Sequence, residues 1–212
     1  MPNPAGFRFY LITDRSLVGG WDALFAAVEG ALEGGAGSVQ LRERDLSAAE
    51  LYPAACEMRD LTARFGAHLL INDRVDVALA SGADGVHLGG HSLPPAVVRQ
   101  RFGAELMIGV STHSRGEVVA AASAGADFVT FGPVYATASK AAYGPPLGVD
   151  ALRGACTGST LPVYALGGIT PDRRREVLAA GAAGCAAISS VLAAADPRRA
   201  AAAFVTGAAG SN

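Results

Sequence analysis

The stretch LPVYALGGITPDRRREVLAAGAAGCAAISSVL, residues 161–192, decides the fold. It reads as a buried strand over 163–166, a glycine pair at Gly167 and Gly168, and a helix opened by Thr170 and Pro171. A second apolar strand over 185–188 then runs into Ser189, Ser190 and a further helix start. Thr170 suits an N-cap and Pro171 the first helical position, where its missing N–H costs nothing. A glycine pair directly after a strand lets the backbone approach a ligand, and free N–H groups at a helix start favour a phosphate or carboxylate. Two such strand ends side by side make a phosphate cup, a feature often formed by the loops after strands seven and eight of a (β/α)8 barrel. The competing reading is that these glycines only make tight turns.

Outward from this stretch the same phrase recurs, as EGGAGSVQLRE (33–43), ASGADGVHLGG (80–90), SAGADFVTFGP (123–133) and AAGAAGCAAIS (179–189). Each time an Ala-rich helix ends on Gly-Ala, a short apolar strand follows, and polar residues or glycines stand at its far end. Glycine after a helix and a short crossover to the next strand are what a repeating βα unit requires. The spacing suits two βα units, so the phrase marks every second strand. Further strands fit at 7–13, 68–72, 106–111 and 162–166. Together they predict a single (β/α)8 barrel over residues 1–206, with the tail 207–212 frayed.

The 212 residues suit one domain and are slightly short for an average barrel of this kind. Hydrophobic residues make up 50% and charged residues 17%, enough to bury a large interior and too apolar for disorder. A formal net charge of -2 excludes a general nucleic-acid or anionic-membrane binder, so any anionic ligand must be held locally. Cys56, Cys156 and Cys185 are odd in number, widely spaced and without a CxxC pair, which indicates neither a disulfide framework nor a zinc site. The opening MPNPAGFRFYLITD has no basic and apolar leader pattern, and the apolar runs are too short to span a membrane, so a cytoplasmic protein is expected. The Ala-rich helix faces allow a homodimer as well as helix-to-barrel packing.

In a barrel the residues just after each strand share one mouth. Gln40, Arg42 and Arg44 alternate, so on a strand they share a face suited to phosphate or pyrophosphate; the alternative is that the arginines pair with Glu43 or Asp45. Asn72 and Asp73 end the third strand, where Asp73 either helps hold Mg²⁺ or caps the following VDVALA helix. Ser111 and His113 end the fifth, and His113 suits proton shuttling near neutral pH. His87 reads as a barrel-wall histidine satisfied by a neighbour. Lys140 is the chain's one lysine among sixteen arginines; it sits in the loop 132–148, whose composition suits closure over a ligand.

Taken together, YLITD, VQLRER, NDRVDVALASGADGVHL, IGVSTHS, FGPVYATASK, ALGGIT and AAISS resemble the thiamine phosphate synthase / TenI superfamily of barrels over nearly the whole chain. In its synthase branch the resemblance implies joining of a pyrimidine methyl pyrophosphate to a thiazole phosphate with loss of pyrophosphate. Pyrophosphate and Mg²⁺ contacts would then fall on Gln40, Arg42, Arg44, Asn72, Asp73, Ser111 and Lys140. Thr137 and Ser139 would lie near the thiazole phosphate, and Gly168, Ile188 and Ser189 would match its backbone cup. Two positions depart from that branch: Arg44 stands where lysine is usual, and GGHS (89–92) replaces GQED, so that Ser92 takes the place of a second metal carboxylate. In the TenI branch the resemblance implies a thiazole tautomerase needing no cofactor, in which His113 moves the proton and Arg42 and Lys140 steady the substrate carboxylate and developing charge. The HSLPP, THS and SKAAYGPPLG segments are similar to that branch. Loss of a metal carboxylate harms a synthase more than an isomerase, so the tautomerase is the expected activity. The synthase and a non-catalytic thiazole or thiamine phosphate binder are the alternatives, and sugar-phosphate epimerases lack a placeable acid–base pair here.

Overall fold

A computed structural model describes residues 6–137 and 144–207. Eight parallel strands close into a barrel in chain order: β1 (Phe9–Ile12), β2 (Ser38–Leu41), β3 (His68–Asn72), β4 (Gly85–Leu88), β5 (Met107–Thr112), β6 (Phe128–Phe131), β7 (Val163–Ala165) and β8 (Gly184–Ala187). Helices α1 (Trp21–Glu33), α2 (Ala48–Arg64), α3 (Val75–Ser81), α4 (Pro95–Phe102), α5 (Arg115–Ser123), α6 (Gly148–Cys156) and α7 (Arg174–Ala179) separate them; α8 (Ser189–Leu192) and α9 (Pro197–Thr206) follow β8. The recurring phrase falls on β2, β4, β6 and β8, every second strand as its spacing predicts. Of the expected tail 207–212, only Gly207 lies among the described residues, as the left-handed C-cap of α9. Among the described residues no helix is long and apolar enough to cross a membrane.

The strands are apolar on both faces because both are covered, as a parallel barrel demands. Phe9, Leu11, Val39, Leu69, Ile71, Val86 and Val129 point outward into the layer beneath the helices. The opposite face of each strand fills the barrel. Inward residues pair across the junctions, Ile12 with Gln40, Gln40 with Leu70, Asn72 with His87, His87 with Gly109, Ser111 with Thr130, Thr130 with Tyr164, and the stagger that closes a tilted barrel accumulates around the ring. The lower interior is an aromatic plug: Phe7 stacks on Tyr164 at 4.6 Å, and Phe128 meets the rings of Phe7, Tyr10 and Tyr164 edge-on at 5.4 to 5.5 Å. The Tyr164 hydroxyl donates to the Phe7 carbonyl at 2.8 Å, which satisfies the one polar atom of that ring.

Two of the recurring phrases carry an aspartate with a shared task. Asp84 accepts from the Leu69 N–H at 2.7 Å and from Arg59 at 2.8 Å, and Asp127 accepts from the Ile108 N–H at 2.7 Å and from Arg99 at 2.6 Å. Each carboxylate thus ties the entry of the neighbouring strand to an outer helix or the turn beyond it, so the Gly-Ala-Asp wording has a bonding reason as well as a turning one.

The element boundaries differ from the sequence reading in one instructive place. Thr170 makes no side-chain cap bond; Pro171–Arg173 forms a 3-10 turn, and α7 begins only at Arg174. Arg173 donates to the Gly168 carbonyl at 2.5 Å, so this turn serves the glycine pair instead of extending the helix.

Space inside the barrel is set by Gly109. A Cβ there would stand 2.4 Å from Phe128 Cζ and 2.6 Å from His87 Nδ1, closer than real contacts allow. Gly109→Ala is expected to lower stability by about 1–3 kcal/mol through overpacking, read as a lower urea midpoint. An unchanged midpoint would show that Phe128 and His87 can move aside.

Candidate active site

The strand ends at the C-terminal mouth bring together Gln40, Asn72, Ser111, Gly167, Gly168 and Ile188, joined by the segments that follow each strand. Beneath them lies a buried polar layer. Gln40 Nε2 donates to the Tyr10 hydroxyl at 3.0 Å, the Tyr10 oxygen lies 3.3 Å from His87 Nδ1, and His87 Nε2 lies 3.0 Å from Ser111 Oγ and 3.4 Å from Thr130 Oγ1. His87 is a barrel-wall histidine satisfied by its neighbours, as expected. Tyr10 and Thr130 carry no signal in the sequence that separates them from core residues.

Arg42 and Arg44 do not lie on a strand face with Gln40. β2 ends at Leu41, and the Arg42 N–H leaves the ladder to donate to Thr13 Oγ1 at 2.8 Å. Arg44 therefore stands exposed in the loop, while Arg42 is half-buried. The expected alternative, pairing of these arginines with Glu43 or Asp45, is not what forms. Arg15 takes both carboxylates, reaching Glu43 at 3.1 Å and Asp45 at 2.7 and 2.5 Å. Buried Glu43 is further held by the Thr13 hydroxyl at 2.6 Å and the Arg15 N–H. Arg15 was missed in the sequence because its partners lie some thirty positions away.

The result is a recess of about 630 Å³ lined by Arg15, Arg42, Glu43, Arg44 and Asp45 together with Asp14, Gly19 and Gly20. Within it no described side chain pairs with the Arg42 or Arg44 guanidinium. Burial, followed by the positive charge of Arg44, pulls the Arg42 pKa below its ordinary value. A half-buried guanidinium beside a second one has chemistry that suits an anion.

The glycine pair follows β7 and is not part of the lining of that recess. Gly167 and Gly168 both have positive φ, 93° and 63°, and a Cβ on Gly168 would stand 2.6 Å from the Ala136 carbonyl oxygen. The segment after β6 is stitched to it, with Val134 N–H donating to Leu166 O at 2.9 Å and Tyr135 N–H to Gly167 O at 3.0 Å. The Arg173 guanidinium lies over the Tyr135 ring at 4.3 Å, and Tyr135 donates to Glu176 at 2.6 Å. Thr137 belongs to this segment; Ser139 and Lys140 lie outside the described residues. Ile188 is the residue before α8, and exposed Ser189 opens it.

Asp73 is the one described non-glycine residue with positive φ, 65°. Such a conformation costs on the order of 1 kcal/mol and is retained where the surroundings enforce it. Here the Asp73 N–H donates to the His87 carbonyl at 2.9 Å, and its carbonyl accepts from Val75 N–H at 3.1 Å. Its carboxylate does not cap α3, whose N-cap is Arg74 without a side-chain bond, and Arg74 forks onto Asp76. Among the described residues no group of three or more His, Cys, Asp or Glu could hold a metal by itself. Ser92 accepts the Gly89 N–H at 2.7 Å, so its hydroxyl closes its own turn. His113 Nδ1 lies 2.5 Å from the Gly132 carbonyl oxygen, which makes that nitrogen the protonated one in the neutral ring and leaves Nε2 as the other.

An unpaired half-buried cation serves a ligand at the expense of the empty fold. Arg42→Met is therefore expected to leave the urea midpoint unchanged or raise it while weakening binding of inorganic pyrophosphate by about tenfold or more. A fall in stability would mean that Arg42 is structural.

Comparison with known proteins agrees with the barrel. The family described as thiamine monophosphate synthase matches residues 9–191. A Geobacter sulfurreducens relative, provisionally named a thiamine-phosphate synthase, is 59% identical over 91% of this chain and 90% of its own. The thiamine-phosphate synthase of Laribacter hongkongensis is 42% identical over 90% of each chain. The solved structure of thiamine phosphate pyrophosphorylase from Pyrococcus furiosus superposes with a TM-score of 0.84 at 37% identity, covering 93% of both chains. These names overturn the expected thiazole tautomerase and its assignment as an isomerase. The replacement of one carboxylate by Ser92 did not select the branch, since Mg²⁺ often takes only one protein carboxylate and completes its shell with phosphates and water. The chain belongs to the thiamine monophosphate synthase family.

Proposed function

We propose that this protein is a thiamine phosphate synthase: the thiazole nitrogen of a thiazole phosphate attacks the methylene carbon of a pyrimidine methyl pyrophosphate, a C–N bond forms, and pyrophosphate leaves with the C–O electron pair. The observation that carries this reading is the unpaired pair of guanidiniums, Arg42 and Arg44, at the same mouth as the glycine cup. Its independent support is the synthase name borne by relatives that match about nine-tenths of the chain. One anion site would take the leaving pyrophosphate and the other the phosphate of the attacking partner.

In this reading Gln40, Arg42, Arg44, Asn72, Ser111 and Lys140 receive the pyrophosphate. Arg42 does most, because a cation in a partly desolvated site interacts with charge more strongly than one in water. Its full charge is available because Arg15 occupies Glu43 and Asp45. Gly167 and Gly168 let the backbone come close to the thiazole phosphate, with Thr137, Ser139, Ile188 and Ser189 around it. A Cβ at either glycine would strike the segment after β6, at Pro133 or Ala136, so glycine is what lets that segment pack here.

Mg²⁺ suits the hard carboxylate of Asp73, which is exposed and has no hydrogen-bonded partner among the described residues. When bound it would neutralise charge on the departing pyrophosphate. Asn72 and Asp73 would hold it from the protein side, and the substrate's own oxygens would stand where a second carboxylate is usual. His113 keeps its place at the rim, held by Gly132, with no proton-shuttling role in this reading.

The test is direct: purified protein with the pyrimidine methyl pyrophosphate, thiazole phosphate and Mg²⁺ should release thiamine phosphate and pyrophosphate in equal amounts. Binding of both substrates without product would reduce the protein to a carrier and overturn the proposal. Asp73→Asn is expected to lower kcat/KM by about a hundredfold or more. Ser92→Asp should reduce the Mg²⁺ concentration needed for half-maximal rate; no change in that requirement would place Ser92 outside the metal's surroundings.

A further inference from the structure

We propose that His87 is a positioning residue that sets the polarity of the buried chain Gln40–Tyr10–His87–Ser111, so that Ser111 presents its O–H, and not a lone pair, to an anion in the mouth. The proposal deepens the synthase reading and rests on it for the identity of that anion.

The chain has two self-consistent polarities. In one, Gln40 donates to Tyr10, Tyr10 donates to His87 Nδ1, and His87 carries its proton on Nε2 and donates to Ser111. In the other every bond is reversed, the proton sits on Nδ1, and Ser111 spends its hydrogen on Nε2. A neutral imidazole has one donor and one acceptor nitrogen, so a choice made at either end fixes the whole chain. The orientation of the Gln40 amide points to the first, and two further features accord with it. The Gln40 carboxamide turns its Nε2 to the Tyr10 hydroxyl at 3.0 Å, which leaves Tyr10 free to donate onward. His87 Nε2 faces two hydroxyl oxygens, Ser111 at 3.0 Å and Thr130 at 3.4 Å, whereas Nδ1 faces only the Tyr10 oxygen at 3.3 Å. The ring stays neutral because burial, reinforced by the charge of Arg42, pushes its pKa down to about 3, so both nitrogens cannot donate at once.

The consequence lies at the top of the chain. Ser111 is half-buried at the end of β5, and its oxygen is engaged from below by His87. In this polarity its hydrogen is left for a ligand in the mouth, since its bond to His87 uses a lone pair. With the reversed polarity the same serine would offer lone pairs to that anion and repel it. Tyr10, Gln40 and His87 are all buried, so water cannot reorient the chain. Gly109 makes the arrangement sterically feasible, since a Cβ there would strike Nδ1.

Long-range proton–nitrogen correlation NMR on the ¹⁵N-histidine-labelled protein at pH 7 reads the tautomer, with the His87 signals identified by their loss in His87→Gln. The Nε2–H pattern is expected; the Nδ1–H pattern or a mixture overturns the proposal. A second measurement uses inorganic pyrophosphate in magnesium buffer. Ser111→Ala and Tyr10→Phe are each expected to weaken its binding by about tenfold. The double variant should lose no more than Ser111→Ala alone, because Tyr10 acts through the serine. Losses that multiply would make Tyr10 a packing residue and defeat the proposal. If the unaltered protein binds no pyrophosphate, the synthase reading falls, while the tautomer still decides the polarity.

Discussion

An eight-stranded barrel has an interior that its own strands must fill, and the layer at His87 is where that filling meets function. Below it the space is taken by the rings of Phe7, Tyr10, Phe128 and Tyr164, packed edge-on and stacked. Above it are the groups that face the mouth. The layer itself must be polar enough to orient those groups and fully bonded, because an unpaired polar atom there would cost about 1–3 kcal/mol. Gln40, Tyr10, His87, Ser111 and Thr130 meet that condition with one another, and Gly109 supplies the room. The floor of the site and the core of the protein are thus the same atoms.

The rim follows an opposite logic. Its carboxylates Glu43 and Asp45 alternate in sequence with Arg42 and Arg44, and neighbouring opposite charges on a loop would ordinarily pair. Arg15, arriving from the loop after β1, takes both carboxylates. Among the described residues the two carboxylates are thereby paired, while the Arg42 and Arg44 guanidiniums are not. Asp73 shows the same division: its backbone is tied down in a costly conformation while its carboxylate is left without a bond. Charge pairing is complete instead at the outer ion pairs of Asp84 with Arg59 and Asp127 with Arg99.

Much of this was legible in the residues. The Gly-Ala phrase marks every second strand because each helix must end in a turn before an apolar strand. The inward–outward alternation follows from the two-residue period of a strand. Gly167 and Gly168 were legible as a tight turn after a strand, and both take positive φ. The capping reading at Thr170 failed because Arg173 was needed on the Gly168 carbonyl, a demand from the tertiary structure. The shared face of Gln40, Arg42 and Arg44 failed because the Thr13 hydroxyl drew Arg42 off the ladder, and no local pattern at Arg42 reports a threonine on another strand. The weight placed on Ser92 misled about the reaction for a chemical reason, since a metal that shares its shell with substrate oxygens does not reveal its ligand count in the protein alone.

The sequence by itself determined the barrel, its eight strands and the residue types that gather at the strand ends, because those follow from periodicity and turn chemistry along the chain. Only the tertiary structure decided which charges are neutralised and which are left free, that Arg15 and not Arg42 answers Glu43, and that His87 lies between Tyr10 and Ser111. The reason is physical: pairing energies depend on distance and burial, and both are set by strands that lie far apart in the chain and adjacent in the barrel.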